Sequence, residues 1–416
     1  MCPFHVFLHE QLPTQALSRF GAYYDGREND DEFLEFVKSK LLDCRTSLIK
    51  GDDPGSLACL SVRFALKFKA DVASRDVTRT QVERHMRLCL AATTGFERLI
   101  TIAASEPILA EAAFQLMQGS SVNPVRLLAN HSDLNCIDRG GRGELVAELI
   151  IMQARDAALS GNRRWTSVSE FIQALLPQPE YEALQSSLPT FWRKEEEKSF
   201  ADTFEHYSMW FNHVIRVDDS KVINPHFLWM FITRGAMISC THNQEGVDII
   251  LPLCHKDRNL SPDTVTAILI QVKNAEKYKC EIVKTIFDGM DPLLVGLFDN
   301  NSQRMPVIRI VFALASETPG VLFRPRRHRD STHFDNFTTF DIWCAGLSAF
   351  KNIGNDLDAY QILLDRSLQP HDAFGLVEMK DEHLDKDTKK ERGAIRRRMA
   401  PLTMADHDGD HWRIHA

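Results

Sequence analysis

Residues 246–274 read GVDIILPLCHKDRNLSPDTVTAILIQVKN, and the pattern of this stretch decides how the chain is built. An apolar run opens on Asp248, a polar loop follows, and a second apolar run ends in Gln271, Val272 and Lys273. In the second run Ala267, Leu269, Gln271 and Lys273 alternate with Ile268, Ile270 and Val272. Period-two alternation in a segment this rich in Ile and Val predicts a β-strand. Gln271 and Lys273 then share one sheet face, roughly 6–7 Å apart along the strand. Two adjacent strands that bring a carboxylate, an amide oxygen and an ammonium to one spot can hold a divalent cation beside a positioned water. That is equipment for phosphodiester cleavage.

The segment from Gly143 to about Leu159 predicts a helix of unusual pattern. Leu145, Val146, Leu149, Ile150, Met152 and Ala154 cover most of its circumference, and Glu144, Glu148 and Arg155 fall in the narrow remaining stripe. A helix apolar nearly all round is buried, and a buried carboxylate needs a partner. Two readings stand side by side. One is a Glu148–Arg155 contact, or N-terminal glutamates favoured by the helix dipole. The other gives Glu144, with Glu148 second, a place in the site of Asp248 and Lys273.

Together these residues resemble a family. Asp248 on one strand and Gln271-Val272-Lys273 on the next resemble the signature of the PD-(D/E)XK, restriction-endonuclease-like nuclease superfamily, which also carries a glutamate on an upstream helix. GRGELVAE, residues 141–148, opens such a helix. GRGELVA followed by D…QVK looks like a group of uncharacterised fungal proteins assigned to this fold, and the likeness covers roughly residues 135–350. Val247 stands where the family name has proline, and Gln271 replaces the second carboxylate. The resemblance implies an α/β fold, a mixed sheet flanked by helices, and a nuclease dependent on Mg²⁺ (or Mn²⁺) that acts on DNA. It implies metal ligation by Asp248, Glu144 (with Glu148 second), the Gln271 side-chain carbonyl and the Val272 backbone carbonyl, with Lys273 orienting the attacking water. Two alternatives remain. One is an inactive nuclease fold serving as a nucleic-acid-binding or interaction module, transposon-derived or effector-like. The other is a helical scaffold in which D…QVK is coincidence.

Bulk properties bound these readings. With 416 residues the chain allows two or three domains. No apolar run reaches the roughly 18 residues of a membrane span, and the start MCPFHVFLHEQLP lacks the basic and apolar regions of a secretory signal. Nine cysteines, scattered without a C-x-x-C pair, predict reduced thiols and a nuclear or cytoplasmic protein. The single Cys254-His255 pair does not suggest zinc, and Gly140, Gly141 and Gly143 fit no phosphate-loop spacing. The net charge of −8 means that nucleic acid must be met by a local basic patch. Arg324, Arg326, Arg327 and Arg329 form one candidate, and Lys389, Lys390, Arg396, Arg397 and Arg398 another, which also permits a nuclear-localisation reading.

Along the chain, residues 1–130 predict a mainly helical domain of unknown role, and residues 131–375 the nuclease-like core. A helical insertion is expected at about 162–225. It opens on a capping box from Ser167 to Glu170, followed by a helix with Phe204, Tyr207, Phe211 and Val214 on one face. A short helix from Pro225, a strand at 236–241, the two site strands, a helix at about 276–289 and strands at 307–315 and 339–347 complete the core. The charged tail, 376–416, predicts disorder.

Overall fold

A computed structural model describes residues 31–368, apart from 45–48, 50, 52, 71, 94–97, 121, 132–141, 160–162, 194–196, 218, 242–243, 299–303 and 327–336. The expected tail at 376–416, with its second basic cluster, lies outside the described residues, as do Arg327 and Arg329. The chain divides into two compact units, with the boundary between Asp138 and Arg139.

The first unit contains α1 (Asp31–Leu41), α2 (Pro54–Phe64), α3 (Arg75–Arg84), β1 (Leu88–Ala92), β2 (Leu99–Ile102), α4 (Pro107–Gln118) and α5 (Pro124–His131). Residues 88–102 are not part of the helices expected for most of this unit: there β1 and β2 form an antiparallel pair. A buried charge fixes this point of the chain. The Arg87 guanidinium donates to Thr101 Oγ1, Ser61 Oγ and the Leu66 carbonyl, and lies 4.0 Å over the Phe68 ring. Continued helix past Arg84 would give up those bonds, and the β-branched Ile100, Thr101 and Ile102 favour the strand.

The second unit opens with α6 (Arg142–Ala158), then β3 (Thr166–Ser167), α7 (Val168–Leu175), α8 (Gln178–Gln185), α9 (Phe200–Phe204), β4 (Tyr207–Met209) and β5 (His213–Arg216). It continues through α10 (Pro225–Thr233), β6 (Ala236–Ser239), β7 (Ile249–His255), β8 (Val265–Lys273), α11 (Lys284–Gly289), β9 (Val307–Ala313), β10 (Gly320–Phe323), β11 (Thr339–Ala345) and α12 (Leu357–Leu368). Its core is a curled mixed sheet flanked by helices. β10, β11, β9, β8 and β7 lie side by side; β7 then pairs with β4 near one end and with β6 near the other. β8 runs antiparallel to β7 and parallel to β9, which runs parallel to β11. Every residue of β9 and β11 is buried, as expected of strands covered on both faces. α6 lies against β8, α7 and α12 lie against α6, and α10 lies against β6, β7 and β8.

The capping box at Ser167 and Glu170 forms as the sequence predicts, with the hydroxyl accepting the Glu170 N–H and the carboxylate accepting the Ser167 N–H. The insertion that follows is not purely helical. Of the four residues expected on one helix face, Phe204 ends α9, while Tyr207 and Val214 belong to strands that join the sheet. Their apolar spacing serves the core in either conformation, so periodicity alone could not decide it. The helix expected over 276–289 is shortened to α11, with turns before it.

One glycine positions the start of β7. Gly246 has φ of 86°, a region that costs a side chain about 1–2 kcal/mol, and a Cβ there would run into the Gly289 carbonyl. Gly246→Ala is therefore expected to destabilise the protein by more than about 2 kcal/mol, because strain and backbone overpacking add. Chemical denaturation checks this, and a loss below about 0.5 kcal/mol, the scale of an ordinary surface substitution, would show that the loop before Asp248 is not held this way.

Candidate functional site

The end of the β7–β8 ladder carries the first half of the site. Ile249 pairs with Ile270, so Asp248 stands beside Gln271 just beyond the last ladder pair. The Asp248 N–H donates to the Ile270 carbonyl at 2.9 Å. Its Oδ2 accepts the Val272 N–H at 2.6 Å and the Gln271 side-chain amide. Among the described residues Oδ1 has no hydrogen-bond partner. Lys273 lies two residues beyond Gln271 and shares its strand face. The sequence predicts this grouping, and Asp248, Gln271 and Lys273 are brought together at one strand end.

The N-terminal turn of α6 supplies the second half. Gly143 allows the approach, since a Cβ there would collide with the Asn274 side chain that follows β8. Glu144 then comes close enough to Asp248 for its charge to act on that carboxyl. Glu144 Oε2 is buried and accepts no hydrogen bond among the described residues, as is true of Asn274 Oδ1. Glu148, one turn along, is fully buried, and its Oε2 accepts from Arg216 at the end of β5 at 3.0 Å. Arg155 donates to Asp156 at 3.0 Å.

Crowding of carboxylates leaves an electrostatic mark. Burial pushes the Asp248 carboxyl up to about 6 and the Glu144 charge adds to the rise, while the Val272 N–H, Lys273 and the Gln271 amide oppose it. Burial likewise raises the Cys240 thiol, and Asp248 and Glu144 raise it further, which places that thiol beside the same two acids. A half-buried pair of acids with oxygen atoms short of donors suits a small hard cation. Magnesium takes one or two carboxylates and keeps several waters, so the sparse set of Glu144 and Asp248 fits it. Among the described residues no group of three or more His, Cys, Asp or Glu side chains has the spacing of a metal cage. Gln271 turns its amide nitrogen towards Asp248, so its carbonyl is not the atom held against the acid.

Arg324 and Arg326, the described members of the first basic cluster, are engaged with acids. Arg324 reaches Asp341 and Asp288, both at 3.3 Å, and stands over the Phe191 and Phe287 rings. Arg326 pairs with Glu197 and lies 4.0 Å over the Trp192 ring. Sequence reading missed Arg216, Cys240 and Asn274. The only signal for Arg216 is an arginine closing the apolar run HVIR, which gains meaning once β5 is placed beside β6.

Residues 50–285 match the family described as a domain of unknown function, DUF8736, and as this spans more than half of the 416 residues the chain belongs to that family. Glu144, Arg216, Asp248, Gln271 and Lys273 all fall inside the matched region. Searches of curated proteins and of solved structures returned no match. No helix among the described residues is long and apolar enough to cross a membrane.

The raised Asp248 pKa carries a sign. A carboxyl at about 6 in the folded state and 3.8 in its ordinary state favours the folded protein fully below the lower value. That contribution is lost as pH rises through about 6. In the presence of a chelator, the stability difference between the wild type and Asp248→Asn should therefore shift towards the variant by at most about 3 kcal/mol between pH 4 and 7. Denaturant titrations at several pH values read it directly, and a difference independent of pH would contradict the half-buried, crowded Asp248 described above.

Proposed function

We propose that this protein is a divalent-cation-dependent nuclease of the restriction-endonuclease-like kind, acting on DNA in the nucleus or cytoplasm. The observation that carries the reading is the meeting of Asp248, Gln271 and Lys273 at one strand end with Glu144 of α6. With the segment from β3 to α10 set aside as an insertion, the order of α6, β6 to β8, α11 and β9 supports it, being the helix, three strands, helix, strand order of that superfamily. Glu144 and Asp248 would hold the Mg²⁺ or Mn²⁺. When bound, such an ion supplies Lewis-acid stabilisation of charge on the phosphoryl oxygens and lowers the pKa of water.

The chain's own groups do the remainder. Lys273 orients the attacking water from the face it shares with Gln271, and its positive charge offsets negative charge developing on the phosphate. The water oxygen forms the new bond to phosphorus and gives up a proton to solvent, while the P–O bond to the leaving strand breaks and the leaving oxygen takes a proton from solvent. Gln271 fixes Asp248 through its amide, so that Oδ1 is the oxygen left for the cation. Of the arginine cluster named above as a phosphate-binding candidate, Arg324 and Arg326 lie among the described residues, and both would have to exchange acidic partners for phosphate.

One observation favours a second reading, a nuclease fold retained as a binding module. Gln271 brings no formal charge where the superfamily has a carboxylate, and its amide already donates to the Asp248 Oδ2. Cleavage of linear, circular and single-stranded DNA with Mg²⁺ or Mn²⁺ separates the two. The nuclease reading expects metal-dependent cleavage, abolished in Asp248→Ala and Lys273→Ala and kept in Gln271→Glu. Absence of cleavage by the wild type supports the binding module. Cleavage that survives Asp248→Ala or Lys273→Ala would place the chemistry elsewhere.

A further inference from the structure

Arg216 ends β5 opposite Ser239 of β6. Its Nη1 donates to Ser239 Oγ at 3.0 Å and its Nη2 to Glu148 Oε2 at 3.0 Å, while Nη1 lies 3.7 Å from Glu144 Oε2. Its Nε is buried without a hydrogen-bond partner among the described residues. A guanidinium keeps its proton at any ordinary pH, so this positive charge is permanent. Glu144 and Glu148 stand one helical turn apart and are treated unequally. Glu148 is buried and hydrogen-bonded to the guanidinium, whereas Glu144 is within electrostatic reach of it and also acts on Asp248.

We propose that Arg216 is a built-in counter-ion that keeps Glu148 out of the cation site and limits the centre to one divalent ion, held by Glu144 and Asp248. The inference rests on the cation-dependent reading above and deepens it. Two-ion nuclease centres place their metals about 3.5–4 Å apart and share carboxylates between them. Here a guanidinium bridges the two helix carboxylates and fills the room where a second ion would share them. The charges agree with a single ion. Glu144, Glu148 and Asp248 bring three negative charges against the two positive ones of Arg216 and Lys273. One divalent ion turns the remaining negative charge into a single positive one, the complement of a phosphodiester monoanion. Arg216 is thus a positioning residue that acts through Glu148, and no contact with substrate is assigned to it.

The test measures Mg²⁺ and Mn²⁺ binding to the full chain by calorimetry and by the metal-dependent rise in melting temperature, which needs no catalytic activity. Wild type is expected to bind one ion. Arg216→Gln should bind Mg²⁺ on the order of tenfold tighter, or take up a second ion, because a positive charge beside the site is gone. Arg216→Lys, which keeps the charge, should stay close to the wild type. The double variant Glu148→Gln with Arg216→Gln removes both members of the pair, guards against misfolding of the single variant, and should bind within about threefold of the wild type. A folded Arg216→Gln protein with wild-type affinity and stoichiometry overturns this inference alone. So does a folded double variant that loses more than about tenfold in affinity, since Glu148 would then be a ligand. Binding by Arg216→Gln but not by the wild type overturns the one-ion inference together with the nuclease reading, since the natural chain would then hold no ion. No binding in any variant overturns both.

Discussion

Charge buried in an apolar interior needs a partner, and this constraint organises the second unit. Glu148 and Asp341 have essentially no exposure, and each is met by an arginine from a neighbouring strand. Arg309 of β9 grips Asp341 of β11 with two hydrogen bonds of 2.7 Å, and Arg324 adds a third contact from beyond β10. Removing one member of such a pair costs about 3–5 kcal/mol, whereas the intact pair adds little net stability. These pairs are therefore best understood as devices of register. Arg309 can reach Asp341 because the two residues sit opposite each other in the parallel β9–β11 ladder, and Arg216 reaches Ser239 in the same way across β5 and β6.

Asp248 differs from both acids. It is secured by an amide hydrogen and a side-chain amide, neither of which carries charge, and Glu144 faces it as a like charge. The second unit pairs its buried Glu148 and Asp341 with arginine and leaves the half-buried Asp248 with a raised pKa and an unshared oxygen. Glu144 likewise has a buried oxygen without a donor among the described residues. Strained acids of this kind concentrate at functional sites. The Gly246–Gly289 contact before β7 and the Gly143–Asn274 contact at α6 hold the two halves of this arrangement close, at positions where no side chain could fit without displacement.

Much of this was legible in the sequence, for definite reasons. β7, β8, β9 and β11 are runs rich in branched and aromatic residues, and the shared face of Gln271 and Lys273 follows from period-two alternation within β8. The α6 acidic stripe stood out because everything else on that helix is apolar. The hairpin β1–β2 did not show, since its short segments sit beside good helix formers and depend on the buried Arg87. Strands β4 and β5 were hidden in an aromatic pattern compatible with helix. Arg216 could not be singled out because its role depends on which strand lies next to β5, a property of topology that local sequence does not carry. The Gln271 orientation was also beyond reach, as sequence alone gives no reason for its nitrogen to face Asp248.

The central claim is that Glu144 and Asp248 together form a place for one hard divalent cation. Anomalous diffraction from crystals soaked in Mn²⁺ tests it most directly. The account expects a single anomalous peak with oxygen atoms of both Glu144 and Asp248 at about 2.0–2.3 Å, the range of hard divalent ions. A peak elsewhere on the chain, or saturating Mn²⁺ with no peak between those two carboxylates, would contradict it.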